Sequence, residues 1–299
     1  MAIAYFLYLA TSGSIALESI DPKIPWGFML AVCSILYTLS IVAGAVAWHV
    51  LLASCGERVG VATSISICCI SQAAKYIPGN VAHHIGRVYL AKRSGIGTRK
   101  TLYTMLIETL FLVGVGASFS VFAISSIGAY AGIDVGLFSS NLSFVLLSLS
   151  ALGLPFVLPS LAKKILILWP DFFGIGPKAI QPTSALTGIK LVVIYALGFL
   201  LLGMVLYFAG ASIVDDIDVS FLVLTGIFSF SWTVGFLTPG APAGIGIREL
   251  LLTAGLSQYV GQELAVNLAI YLRVISVFGD TAALLLGLSL AGITKLTKK

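Results

Sequence analysis

Four basic and three acidic residues stand inside otherwise apolar sequence: Lys75, Arg87, Arg248 and Arg273, with Glu108, Glu249 and Asp280. Lys75 and Arg87 flank Pro78-Gly79-Asn80, while Arg248 follows Pro239-Gly240 and the small residues Ala241 to Gly246. Proline and glycine break helices. A helix restarting beyond such a break turns unpaired N–H groups and a partial positive charge toward it, a combination that suits phosphate. On this reading Lys75, Asn80, Arg87, Arg248 and Arg273 bind an anionic substrate, and Glu108, Glu249 and Asp280 balance the cations or carry coupling protons. Pro78, Gly79, Pro239, Gly240, Gly244 and Gly246 form the breaks.

Plainer readings stand beside this one. Arg248 and Glu249 suit a local interfacial pair, and Arg273 and Asp280, seven apart on one helical face, suit a mutually neutralising pair. Lys75 and Arg87 have stems long enough to snorkel to headgroups. His83 and His84 are adjacent, point to different helix faces and read as structural, not as a metal site. Asp216 and Asp218 have the spacing to hold a divalent metal for glycosyl transfer, against a simpler account as an acidic external loop.

The chain has no G-x-x-x-x-G-K-[ST] nucleotide loop, no G-x-S-x-G nucleophile and no H-E-x-x-H zinc motif. Its glycine-dense segments, Ser94 to Gly97 and Gly240 to Gly246, lack the strand-to-helix setting of a dinucleotide loop. Cys33, Cys55, Cys68 and Cys69 lie in or beside apolar runs without metal-ligand spacing and read as small apolar residues. No cofactor and no metal are expected.

The elements that position these residues follow from composition. Of 299 residues 59% are hydrophobic and 10% charged, against about 25% charged in a soluble domain. That excludes a single water-soluble globule, and the missing alternation excludes a β-barrel. An all-α integral membrane protein is expected, because a span needs about 20 apolar residues. Apolar stretches fall near 2–17, 26–53, 61–76, 101–127, 142–160, 189–209, 219–237, 246–261 and 264–292. The first has no basic n-region and reads as an uncleaved helix.

Basic clusters at 75–100, 163–190 and 295–299 face the cytoplasm by the positive-inside rule, and the loops with Glu18 and Asp21, Asp134, and Asp215 to Asp218 face outside. The net charge of +5 is therefore loop bias, not nucleic-acid binding. Both termini are placed in the cytoplasm. Parity requires residues 61–91 to enter and return on one side, and a re-entrant hairpin turning at Pro78-Gly79 satisfies this. Residues 219–261 repeat the pattern inverted around Pro239-Gly240, although two full crossings there give the same C-terminal side.

The expected architecture is thus one polytopic domain, 1–299, of about six full spans and two re-entrant hairpins. Its inverted repeats, near 26–127 and 189–292, are joined by helix 142–160 and a cytoplasmic loop at 161–188. Such repeats meeting at broken helices are a transporter signature.

Two segments carry a family resemblance. Gln72-Ala73-Ala74-Lys75-Tyr76-Ile77-Pro78-Gly79-Asn80 with Gly86-Arg87, and Gly235 through Pro239-Gly240-Ala241-Pro242-Ala243-Gly244-Ile245-Gly246-Ile247-Arg248-Glu249, resemble the motifs of the lysylphosphatidylglycerol synthase transmembrane-region family, also called flippase-like or UPF0104. Long members carry a soluble aminoacyl-transferase domain, and this chain stops seven residues after Gly292, so aminoacylation is not expected. The resemblance implies handling of an anionic membrane lipid, a phospholipid or a polyprenyl-phosphate-linked sugar, in a prokaryotic cytoplasmic membrane. The implied activity is a flippase-like transporter. The alternatives are an integral-membrane glycosyltransferase using a polyprenyl-phosphate donor and a non-catalytic partner that presents lipid to an envelope glycosyltransferase.

Overall fold

The computed structural model describes residues 26–77, 81–124, 127–128, 132, 140–168, 184–213 and 219–294. The run at 2–17, the first break (Pro78, Gly79 and Asn80) and Asp134, Asp215, Asp216 and Asp218 lie outside the described residues. Every described element is helical. In chain order they are α1 (Trp26–Ser54), α2 (Val61–Gln72), a 3-10 turn (Ala73–Tyr76), α3 (Ala82–Arg93), α4 (Thr98–Ser120) with a 3-10 extension (Val121–Ala123), α5 (Ser140–Leu168), α6 (Ala185–Ala211), α7 (Phe221–Leu237), a 3-10 turn (Pro242–Gly244), α8 (Ile247–Val260) and α9 (Gln262–Thr294).

Local chemistry sets the helix ends. Past α1, Gly56 takes the left-handed conformation (φ +76), which ends helices without a Cβ penalty. Ser184 caps α6 by accepting the Thr187 N–H at 3.2 Å, leaving one fewer unpaired donor in the first turn. Four stretches are long and apolar enough to cross a membrane: Gly27–Ser54, Thr98–Ala123, Ala185–Ala211 and Gln262–Ile293. With them come shorter apolar helices. The chain is a multi-pass α-helical membrane protein. Large apolar side chains such as Phe28, Ile85, Val193 and Leu285 face outward, as they do where the solvent is hydrocarbon. The helix α5 runs on through Leu168, eight residues past the expected end of its apolar stretch, so the expected loop at 161–188 begins in helix.

Packing is reciprocal. Helices α1 and α6 pack on each other, α2 packs on α9, and α7 packs on α4. Small residues permit these approaches, since lipid offers no hydrophobic drive and close van der Waals contact must hold the helices together. A Cβ on Gly287 of α9 would come within 2.9 Å of the Cys69 Cβ on α2, and the Ser66 hydroxyl donates to the Gly287 carbonyl at 2.7 Å. A Cβ on Gly203 of α6 would come within 2.9 Å of Thr225 Cβ on α7. The shared core includes Tyr103, Phe111, Phe199, Leu206 and Ile227.

Candidate functional site

The helix α2 does not end cleanly before the first break. It tightens into the 3-10 turn Ala73–Tyr76, which turns Lys75 inward. Lys75 is 9% exposed; its ammonium donates to Asp280 Oδ1 at 2.7 Å and to the Tyr37 hydroxyl at 3.4 Å. The Tyr76 hydroxyl donates to the other carboxylate oxygen of Asp280 at 2.5 Å. Beyond the break, Arg87 on α3 is 8% exposed and ion-paired with Glu108 of α4. Its guanidinium lies 5.5 Å from the centre of the Trp48 ring, whose indole N–H donates to Thr104 at 3.0 Å. A charge in hydrocarbon costs at least about 2.5 kcal/mol. Both cations meet that cost with an acid and an aromatic face.

The second break is an irregular run in which Gly240 (φ +78), Ala243 (φ +51), Gly244 (φ +69) and Gly246 (φ +91) all adopt positive φ. Ala243 holds that conformation despite its Cβ, the kind of local strain that persists only when its surroundings enforce it. Arg273 of α9 is one such constraint, donating to the Ala243 carbonyl at 3.3 Å. Glu249 accepts the Gly246 N–H at 2.6 Å and lies 3.7 Å from Arg273 Nε. One carboxylate thus caps the positive end of α8 and neutralises Arg273.

Arg248 is 8% exposed and held differently. Its aliphatic stem runs between Gly235 of α7 and Gly244. A Cβ on Gly244 would meet Arg248 Cδ at 2.8 Å, and one on Gly235 would overlap the same stem. The guanidinium lies 5.5 Å from the Phe228 ring centre. Its Nε has no hydrogen-bond partner, and among the described residues it forms no salt bridge. Arg87 and Arg248 are 161 positions apart, as are Pro78 and Pro239. Each arginine thus follows its proline by nine positions, and among the described residues Arg87 is neutralised and Arg248 is not.

These elements enclose a cavity of about 160 Å³. Lys75, Arg87 and Arg248 line it with Glu108 and Gly244; Arg273, Glu249 and Asp280 are not among its lining residues, and Asn80 is outside the described residues. The pairing of Arg273 with Asp280 is corrected. Seven residues along a helix span about 10 Å, so the same face of α9 serves both breaks, Arg273 reaching Glu249 and Asp280 reaching Lys75. The local pair of Arg248 with Glu249 also fails, because successive helical residues diverge and Glu249 turns back to its own helix start. Snorkelling of Lys75 and Arg87 is overturned by their burial against acids.

His83 and His84 both line the cavity, with ring centres 3.8 Å apart, so adjacency did not separate them. Sequence reasoning missed Tyr195 on α6 and Trp232 and Phe236 on α7 as cavity residues. The signal available was the spacing of Trp232 and Phe236, four apart directly before the second break and therefore on one helical face. Their rings stack at 5.2 Å, and Phe199 meets Trp232 edge-on at 5.8 Å. Among the described residues no group of three His, Cys, Asp or Glu side chains is placed to hold a metal ion.

Residues 2–283 match the sequence model of the family described as Lysylphosphatidylglycerol synthase TM region. A search of curated proteins found no match.

Proposed function

The chain belongs to the lysylphosphatidylglycerol synthase TM-region family, and from that premise we propose that it moves an anionic lipid across a prokaryotic cytoplasmic membrane. The observation that carries this reading is Arg248: a buried cation at a membrane cavity, clamped by two glycines and left without a counter-charge among the described residues. Burying a charge unpaired is costly, and a phosphate group supplies the missing partner in the bidentate geometry that guanidinium prefers. Lys75 and Arg87 also line the cavity, each neutralised by an acid, Asp280 and Glu108. A single phosphate fits that balance better than a polyanion.

In this reading about six helices cross the membrane and the pairs α2–α3 and α7–α8 enter as re-entrant hairpins. The return helix of the first pair, α3, has 12 residues, about 18 Å at roughly 1.5 Å per residue and well short of a core of about 30 Å, while α2 runs on through its 3-10 turn to Tyr76. The reciprocal packing of α2 on α9 and α7 on α4 and the equal spacing of the prolines and arginines support inverted repeats near 26–127 and 189–292. With no nucleotide loop in the sequence, movement is passive or coupled to an ion gradient.

Vesicles reconstituted with the protein and fluorescent anionic phospholipids test the proposal. Wild type should accelerate exchange between leaflets, and Arg248→Gln should slow it at least about tenfold, the loss of one charged hydrogen bond. Equal rates in protein-free, wild-type and R248Q vesicles for phospholipid and polyprenyl-phosphate probes alike would overturn it.

A further inference from the structure

Helix α3 turns Arg87 into the cavity, and its outer face carries a different pattern. Val81 at the N-cap and Ile85 and Tyr89 within the helix are 54%, 65% and 59% exposed. They recur every four residues and so share one side of the helix, and Arg93 continues the row at the helix end. The Arg93 guanidinium lies 5.9 Å from the Tyr89 ring centre. From Val81 to Arg93 the row passes from aliphatic to aromatic to cationic over about 18 Å. A bilayer leaflet offers the matching sequence, from hydrocarbon through the interface to the headgroups. An acidic protein approaching from water would meet the cations alone and leave the aliphatic half uncovered.

The cationic end is held in place by the fold. Gly95 takes φ +80, its N–H bonds to the Lys92 carbonyl and the Ile96 N–H bonds to the Ala91 carbonyl, the pattern of a Schellman stop. Ile96 is buried with Ala91, Leu52 and Trp48, which anchors the turn. The next helix begins at Thr98, so Lys92 and Arg93 at the end of α3 and Arg99 at the start of α4 share one corner, all exposed. The sequence has no acid between Glu57 and Glu108, and those two are engaged by Lys100 and Arg87. One apolar span ends at Ser54 and the next begins at Thr98, which puts this corner at a membrane surface.

We propose that the outer face of α3 is a second lipid site, separate from the cavity, which holds one anionic phospholipid of the surrounding leaflet. Lys92, Arg93 and Arg99 meet its phosphate, and one acyl chain lies along Tyr89, Ile85 and Val81. Three cations select for negative charge and the aliphatic row takes the chain, so headgroup hydroxyls have no part in recognition. The same 12-residue helix presents Arg87 to the cavity, so a lipid seated outside braces the element on which that arginine stands.

The test reads lipid contact at position 85. Ile85→Cys, in a chain whose Cys33, Cys55, Cys68 and Cys69 are replaced by alanine, carries a bimane, and the full chain is placed in phosphatidylcholine nanodiscs. The quencher is a lipid spin-labelled on its acyl chain. It is phosphatidylmethanol, anionic and without headgroup hydroxyls, or phosphatidylcholine at equal mole fraction. A bimane at Leu197→Cys, likewise exposed but on α6, is the reference. Position 85 should be quenched with about fivefold preference for the anionic lipid, and position 197 with none. Replacing Lys92, Arg93 and Arg99 by glutamine should remove the preference. Salt at about 1 M should do the same, since it screens exposed charge beyond about 3 Å, and this arm decides the matter even where the triple variant does not fold. Arg248→Gln should leave the preference at 85 intact, whatever the cavity binds. Equal quenching by the two lipids at 85, an equal preference at 197, or a preference that survives neutralisation or salt overturns the second site. Loss of the preference in R248Q also overturns it, by assigning the signal to the cavity. Capture of soluble polyglutamate by wild type and not by the neutralised variant, with no lipid preference at 85, overturns it in favour of a dock for an acidic protein.

Discussion

Arg248 and Lys75 show two ways of keeping a cation inside a membrane protein, and they predict different responses to mutation. Lys75 is matched: Asp280, Tyr76 and Tyr37 surround its ammonium. Lys75→Ala should strand Asp280 and lower stability by about 3 kcal/mol, the usual cost of leaving one member of a buried pair alone. The exchange Lys75→Asp with Asp280→Lys should recover at least half of that loss in thermal unfolding in detergent. Failure of the exchange to recover anything, with both single variants folded, would mean that the aromatic surround and not the ion pair sets stability there. Arg248 is unmatched, so its neutralisation should cost little stability and much ligand affinity. Its stem is the structural part, gripped between Gly235 and Gly244. Gly235→Val should therefore displace Arg248 and reduce lipid binding as R248Q does, even though position 235 does not line the cavity. G235V protein that binds anionic lipid like wild type would show that the glycine slot does not position the guanidinium.

At the scale of elements, α9 ties the site together. Arg273 holds the second break through Glu249 and the Ala243 carbonyl, and Asp280, two turns on, holds the first through Lys75. Much of this was legible in the sequence. The seven charges in apolar surroundings were found by cost alone, and three of the four cations line the cavity. The second break was legible because Pro and Gly act locally; its positive φ values at Gly240, Ala243, Gly244 and Gly246 were not, and Pro78, Gly79 and Asn80 of the first lie outside the described residues. What sequence could not supply was partnership. Arg273 and Asp280 share a face, and periodicity reports faces, not what packs on them. Their true partners, on α8 and in the turn after α2, were invisible until the helices were docked. The histidines and Trp232 failed for a related reason: adjacency decides orientation on an isolated helix, but a cavity wall curves around both residues. The same docking makes the glycine contacts sharp. Gly203→Val should drive a side chain into Thr225 at the α6–α7 contact, where overpacking costs about 1 to 3 kcal/mol. Thermal unfolding should register that loss, and G203V with an unchanged melting temperature would show that α6 and α7 separate freely.

For the whole molecule the decisive matter is whether the two breaks open to opposite sides of the membrane, because transport by inverted repeats depends on it. The helices make the question concrete. In the first helix pair the return leg α3 has 12 residues, too few to cross a core of about 30 Å, whereas the entering leg is the 12 residues of α2 extended by the 4 residues of the 3-10 turn, about 26 Å in all at roughly 1.5 and 2.0 Å per residue. The second hairpin is longer, with 17 residues in α7 and 14 residues in α8. Those lengths come to about 25 Å and about 21 Å at roughly 1.5 Å per residue. The return legs α3 and α8 are the short ones, so length argues for re-entry through them and leaves both entering legs close to a span. Packing favours the symmetric solution, since α7 lies on α4 as α2 lies on α9, and Arg248 meets the same cavity as Arg87. Two halves related by a two-fold axis in the membrane plane should expose their breaks from opposite faces. Single cysteines at Gly79 and Gly240, introduced after Cys33, Cys55, Cys68 and Cys69 are replaced by alanine, should then react with membrane-impermeant reagents from the cytoplasmic side at 79 and from the external side at 240. Reaction of position 240 from the cytoplasm alone would make α7 a full crossing and end the symmetry argument. It would leave Arg248 in the cavity wall, but as part of a pathway open to one leaflet, which fits a lipid-presenting protein and not a transporter.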